Sequence, residues 1–111
     1  MFKWVYFQMI FDLHTHSTAS DGLLSPEQLL DRAVENGVSH LALTDHDTVA
    51  GVEQLQNVAD FSSRWPINLV PGVEISASID GQPYHIVGLW LDPTAGVLKN
   101  FLVQQQNLRE Q

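Results

Sequence analysis

Two histidines, His14 and His16, stand two residues apart at the end of the short apolar run Ile10-Phe11-Asp12-Leu13. A Ser/Thr-rich turn, Ser17-Thr18-Ala19-Ser20, then delivers Asp21 and Gly22. Residues two apart in an extended strand point to the same side. His14 and His16 therefore aim two imidazoles at one place, while Leu13 and Thr15 face away. Two convergent imidazoles and a nearby carboxylate suit a borderline divalent cation such as zinc, manganese or iron. Three later stretches offer the same donor types: Asp45-His46-Asp47, then Glu74, then His85.

The elements that must position these side chains follow from local patterns. Met1 to Ile10 reads as the lead-in to a first strand, because it has no small-residue cleavage site and runs straight into the histidine pair. Ser25-Pro26-Glu27-Gln28 carries a capping residue, a proline at the first helical position and a capping-box glutamine. Leu29, Leu30, Ala33 and Val34 form that helix's buried stripe, and Asn36-Gly37 ends it. His40-Leu41-Ala42-Leu43-Thr44 reads as a buried parallel strand ending in Asp45-His46-Asp47. Thr48 is placed to cap a second helix carrying Val52, Leu55 and Ala59, which ends before Trp65-Pro66. A third strand, Ile67 to Val70, leads through Pro71-Gly72 to Glu74. Ser76–Ile79 and Tyr84–Leu89 then flank an Asp80-Gly81 turn and predict a hairpin. Asp92-Pro93-Thr94 introduces a last helix with Val97, Leu98, Phe101, Leu102 and Leu108 on one side. Strand, helix, strand, helix, strand is the order of a right-handed parallel α/β unit.

Composition narrows the classes. At 111 residues the chain is one domain at most. Its net charge of −8 argues against nonspecific binding to nucleic acid or an anionic membrane, except where bound cations reverse the local sign. With no cysteine there is neither a disulfide framework nor a thiolate ligand, which fits a reducing, cytoplasmic setting. No apolar run reaches the roughly 18 residues of a membrane helix.

Placed on these elements, the donors fall in one region. His14 and His16 end the first strand, His46 ends the second, Glu74 follows the third, and His85 lies in the returning hairpin strand. In parallel α/β folds the carboxyl ends of the strands form one face, and sites are built there. Each residue has an ordinary reading: a turn for Asp21-Gly22, helix caps for Asp45 and Asp47, a solvated carboxylate for Glu74, a core histidine for His85. Their shared rim makes the cluster informative where no member is. His40 begins its strand, lies at the opposite end, and is assigned a structural or surface role.

Four motifs now resemble one family in its own order. They are Asp12-Leu13-His14-Thr15-His16-Ser17 with Ser20-Asp21-Gly22, Leu43-Thr44-Asp45-His46-Asp47, Pro71-Gly72-Val73-Glu74-Ile75-Ser76, and His85-Ile86-Val87-Gly88. Together they look like the PHP (polymerase and histidinol phosphatase) family, and most resemble its bacterial 3′,5′-nucleoside bisphosphate phosphatases with 5′→3′ exoribonuclease activity. The resemblance implies a distorted (β/α)7 barrel holding up to three divalent metals, commonly manganese, with zinc or iron as alternatives. It implies that His14 and His16 bind a first metal, and that Asp21 and His46 bind a second. Glu74 would bridge the first and third, and His85 would bind the third. Asp12, Asp45 and Asp47 are expected to orient ligands or water rather than to bind metal.

The family completes its metal set with a later histidine and an Asp-x-His that this chain does not contain. The chain is therefore expected to be the N-terminal part of a PHP phosphoesterase, with parallel strands, a β-hairpin and an open apolar edge on the third strand or hairpin, a route to self-association. The implied reaction is hydrolysis of a phosphate monoester by metal-activated water, on a phosphorylated nucleotide or short oligonucleotide. A non-catalytic metal-binding or interaction module is the reading from another class. Histidinol phosphate or a DNA end is the alternative substrate. Arg32, Arg64 and Arg109 lie on helices or loops, and none is a convincing phosphate clamp.

Overall fold

The computed structural model describes residues 9–109, so the lead-in reading of Met1 to Gln8 and the side chain of Arg109 lie outside the described residues. The elements are β1 (Phe11–Thr15), α1 (Pro26–Glu35), β2 (His40–Leu43), α2 (Ala50–Gln56), α3 (Phe61–Arg64), β3 (Asn68–Ile79), β4 (Gln82–Leu89) and α4 (Gly96–Arg109). The strands form one sheet in the order β1-β2-β3-β4, parallel from β1 to β3 and antiparallel between β3 and β4. The α/β class is as expected: a mixed, mostly parallel sheet curled into a half-barrel.

Ser25 caps α1 as its sequence implies. Its side chain accepts from the Gln28 amide, and the Gln28 side chain answers with the Ser25 amide. Such a cap contributes about 1 kcal/mol. The apolar stripe of α1 then meets α2 and the sheet in a core built on Leu30, Ala33, Leu41, Leu43, Val52, Leu55 and Trp65. Each fully buried leucine or valine there stabilises by about 1.5–3 kcal/mol. The Trp65 ring is buried and its Nε1–H donates to Asp31 at 2.7 Å, which satisfies its polar handle. A second cluster, Val49, Val73 and Leu102 with Ile75, Leu91 and Leu98 against it, attaches α4 to β3 and to the segment after β4. Val73 and Ile75 face α4, so by the period of two Glu74 and Ser76 face the other side of the sheet.

The elements depart from the sequence pattern in three ways. The second helix is not continuous to Trp65: α2 ends at Gln56, Asn57 is its C-cap, and Ala59 is exposed before the short α3. Asparagine followed by β-branched Val58 is weak helix sequence, and here it lets the chain turn. Nor does Thr48 cap in the expected way. Val49 occupies the N-cap, and the Thr48 hydroxyl accepts from the Ala50 amide. Third, β3 runs unbroken through Pro71-Gly72. Asn68–Pro71 pair with β2, whereas Gly72–Ile79 pair with β4. Pro71 stands where the ladder changes partner, so its missing N–H breaks no regular pairing.

On α4 only Leu102 of the predicted apolar side is buried and Leu98 is partly so. Val97 is 86% exposed and Leu108 61%. The hairpin turn matches its sequence, with Asp80 at φ 50° and Gly81 at φ 77°, the two positive angles of a type I′ turn. His40 stacks on Phe11 with ring centroids 4.3 Å apart and reaches Ser39 and Asn68, which is the structural role expected of it. No helix among the described residues is long and apolar enough to cross a membrane.

Candidate metal centre

The first strand carries a β-bulge. Asp12 pairs with Leu41 and Thr15 with Leu43, so three steps on β1 oppose two on β2. Bulges re-aim side chains and are common beside functional sites. Here the extra residue lies in the segment that carries His14, and the rings of His14 and His16 come within 5.1 Å of each other. His46 follows β2. The backbone there extends the parallel ladder, with Glu74 N–H donating to Asp45 C=O at 3.0 Å and Asp47 N–H to Glu74 C=O at 2.9 Å. That pairing sets His46 beside Glu74.

The Glu74 side chain is 6% exposed, and its carboxylate faces four imidazoles. Its oxygens lie 2.7 Å from His14 Nε2, 3.4 Å from His16 Nε2, 2.8 Å from His46 Nδ1 and 3.8 Å from His85 Nδ1. Asp21, on the loop after β1, closes the other side. It lies 2.8 Å from His16 Nδ1 and 3.1 Å from His46 Nε2. His16 and His46 thus each sit between two carboxylates, one at each ring nitrogen. A neutral imidazole carries one N–H and one lone pair, so it satisfies only one of those neighbours. The buried Nε2 of His16 and Nδ1 of His46 have no hydrogen-bond partner among the described residues, although each adjoins a Glu74 oxygen. Such atoms are close in distance and out of line for a hydrogen bond. Their placement suits two ligands turned toward one cation better than a donor and an acceptor.

Ligand atoms gather in three overlapping groups: His14, His16 and Glu74; His16, Asp21 and His46; His46, Glu74 and His85. Within each group the atoms lie within 4.8 Å of one another. His16, His46 and Glu74 are each shared by two groups, with His14, Asp21 and His85 at the outer corners. The donor set, imidazole and carboxylate with no thiolate, suits a borderline or hard divalent cation. All six sequence-nominated ligands are therefore brought together.

The three flanking aspartates differ. Asp12 is exposed, with one weak contact to the His14 amide at 3.4 Å. Asp45 is buried and anchors the loop that bears Asp21: its oxygens accept from Ser17 N–H at 2.6 Å, Ser17 Oγ at 2.8 Å and Ser20 Oγ at 2.8 Å. Asp47 is buried in the left-handed region at φ 53°, and its Oδ1 accepts from the Ser76 amide at 3.1 Å. Ser17 and Ser20 were not singled out by sequence reasoning. Their spacing beside the histidine pair is the signal that marks them.

Desolvation raises the Asp21 carboxyl, but the His16 hydrogen bond and the His46 and His16 charges outweigh it, leaving its pKa below the ordinary 3.8. A depressed carboxylate pKa contributes stability above the unfolded value, and the contribution is lost as pH falls through the folded one. Described cations lie elsewhere: Arg64 pairs with Glu27 at 3.0 Å and Lys99 with Glu53 at 3.1 Å.

Gly22 follows Asp21 where no side chain fits. A Cβ there would stand 2.3 Å from the His16 carbonyl oxygen and 2.8 Å from the Ser17 carbonyl carbon, both backbone. Gly22→Ala is expected to displace the Asp21 loop, destabilise the chain by about 1–3 kcal/mol and weaken metal uptake. A urea titration in chelator, paired with metal content by mass spectrometry, checks both; wild-type values in each would refute the loop's role.

Comparison with known proteins gives the same direction. The family model described as "PHP domain" matches residues 12–101. The chain is 47% identical over 105 residues to the 5′-3′ exoribonuclease Rnm of Escherichia coli, covering 95% of this chain and 36% of that protein. It is 44% identical over 87 residues to the 3′,5′-nucleoside bisphosphate phosphatase of Chromobacterium violaceum, covering 78% of this chain and 30% of that one. A solved structure of an amidohydrolase from Chromobacterium violaceum superposes with a TM-score of 0.80 at 39% identity, over 89% of this chain and 34% of the other. The chain thus spans about a third of the length of the curated relatives it matches.

Proposed function

Because this chain belongs to the PHP domain family, we propose that it holds the divalent metal of a phosphoesterase that hydrolyses phosphate monoesters. The observation that carries this reading is the buried Glu74 carboxylate ringed by His14, His16, His46 and His85, with His16 and His46 also facing Asp21. In this reading the three overlapping groups are the metal positions, up to three, with manganese as the first choice. Bound cations supply a lowered pKa for water and charge neutralisation at a phosphate. This chain's own residues then do three things. Glu74 and the four histidines fix the cations. Asp21 closes the second group from its loop, and Asp45 holds that loop. Asp12 and Asp47 belong to the backbone and side-chain frame around the ligands rather than to the ligand set. The relatives' names support a nucleoside bisphosphate or a short RNA as the substrate class. The share of the relatives' length supports reading these residues as the N-terminal part of a longer phosphoesterase domain.

The test is metal content and release of inorganic phosphate together. The purified chain, supplied with manganese and a nucleoside 3′,5′-bisphosphate, is expected to take up metal and release phosphate, and His14→Ala is expected to lose the release together with the metal of the one group that contains His14. Metal uptake with no release under any divalent cation would place the chain in the other class, a metal-holding module without catalysis. No uptake would overturn both.

The open sheet supports a second property of the same reading. Among the described residues its edges are β4 and β1, and β4 leaves Tyr84, Ile86 and Val87 exposed. An unpaired edge with apolar side chains is a template for pairing. The chain is expected to self-associate with rising concentration in sedimentation velocity, and Ile86→Lys to shift it toward monomer. Concentration-independent sedimentation of the unaltered chain would remove this property.

A further inference from the structure

Two consecutive glutamines on α4 reach back to the junction that carries the metal ligands. The Gln106 side-chain amide donates to the Asp47 carbonyl at 3.0 Å, and that of Gln105 donates to the Ser76 carbonyl at 2.7 Å. Asp47 and Ser76 are themselves joined, since the Ser76 amide donates to Asp47 Oδ1 at 3.1 Å. Asp47 is the residue after His46, and Ser76 lies two beyond Glu74. Asp47 also holds a left-handed backbone, φ 53°, which residues other than glycine adopt infrequently and keep where surroundings impose it. The turn at Asp47 sets where the chain leaves His46. The helix approaches from the opposite side of the sheet to Glu74, because Val73 and Ile75 pack toward Leu102 and Leu98.

We propose that Gln106, supported by Gln105, is a positioning residue for the metal centre: by holding the Asp47 carbonyl it keeps the His46 imidazole aligned with Glu74 and Asp21. The inference rests on the metal-centre reading given above. α4 is then a buttress behind the site as well as a cover for the sheet. Outer partners that orient a ligand alter metal affinity by about 10–100-fold when removed. Among the described residues Gln106 makes no hydrogen bond to a ligand side chain, so its effect passes through the backbone of Asp47.

The experiment measures manganese affinity of the whole chain by calorimetry, and stability by urea titration in chelator. Gln106→Met removes the donor at nearly constant size, and Gln104→Met, at an exposed position on the same helix, is the control. Gln106→Met is expected to weaken manganese binding about 10–100-fold with the urea midpoint in chelator little changed, and to speed amide exchange at Asp47 and Ser76. Gln104→Met is expected to change none of these. If Gln106→Met does not fold, Gln106→Glu carries the same comparison, keeping length and polarity while removing the donor. Manganese affinity within twofold of the unaltered chain would overturn the proposal, as would a loss of stability with affinity intact. If the unaltered chain takes up no manganese, the metal-centre reading fails first and this inference falls with it.

Discussion

Glu74→Gln is expected to reduce metal uptake by about 100-fold or more, while the urea midpoint measured in chelator holds or rises. Removing an outer partner of a metal ligand already costs 10–100-fold in affinity. Glu74 belongs to two of the three ligand groups and its oxygens lie within 3.8 Å of all four imidazoles, so its loss exceeds that range. Glutamine keeps the shape but offers one neutral oxygen, and its NH2 turns two donors toward a site that requires acceptors. Stability in chelator should move the other way. A carboxylate on a side chain 6% exposed is held against desolvation, and the amide removes that charge. Elemental analysis after dialysis against manganese reads the first quantity, and urea denaturation with chelator reads the second. Full metal content in Glu74→Gln would remove the residue from the ligand set.

Asp45→Ala is expected to act through stability first, by about 3 kcal/mol, and through metal second. Its two oxygens receive a backbone amide and two hydroxyls, all from the loop that bears Asp21. The serine hydroxyls can rotate toward other acceptors, but the Ser17 amide cannot, and an orphaned buried donor costs about 1–3 kcal/mol. The charge-assisted bonds are lost in addition. Asp45→Asn should recover roughly half, since one carbonyl oxygen can still accept from Ser17 N–H while the NH2 meets hydroxyls able to reverse their role. Urea titrations in chelator order the three proteins. A midpoint for Asp45→Ala equal to wild type would show that the loop is held by something else. The contrast with Glu74→Gln is diagnostic: one substitution empties the two groups that contain Glu74 and leaves the chain intact, the other loosens the chain and loses the site as a result.

Much of the site was legible because its residues occupy strand ends, where local pattern is strong. His14 and His16 are paired by the pleat, and His46 and Glu74 follow apolar runs short enough to be recognised as strands. Ser25 with Gln28 and Asp80-Gly81 carry their conformations in adjacent residues, so cap and hairpin could be read directly. What could not be read depends on distant partners. Asp45 resembles a helix cap until Ser17 and Ser20 come beside it, 28 and 25 residues away in sequence. Pro71-Gly72 looks like an interruption because a single stretch does not show that β3 exchanges one ladder for another. The bulge in β1 is a property of two strands together. On α4 the apolar periodicity identifies a helix with an oily side, yet burial of Val97 and Leu108 requires surface that the described chain does not place against them.

The change of ladder along β3 has a mechanical consequence. Glu74 lies just beyond it and is gripped by backbone bonds to Asp45 and Asp47 on one flank and paired with Val87 on the other. The hairpin continues outward from that point, with His85 opposite Ser76 and its side chain 55% exposed. Glu74 is thus a fulcrum and β4 a lever arm. A sway of the hairpin about this point would leave the carboxylate, His16 and His46 almost still and would move His85 the most of the six residues. Two of the ligand groups share the rigidity of the fulcrum, and the third has the tolerance of the arm.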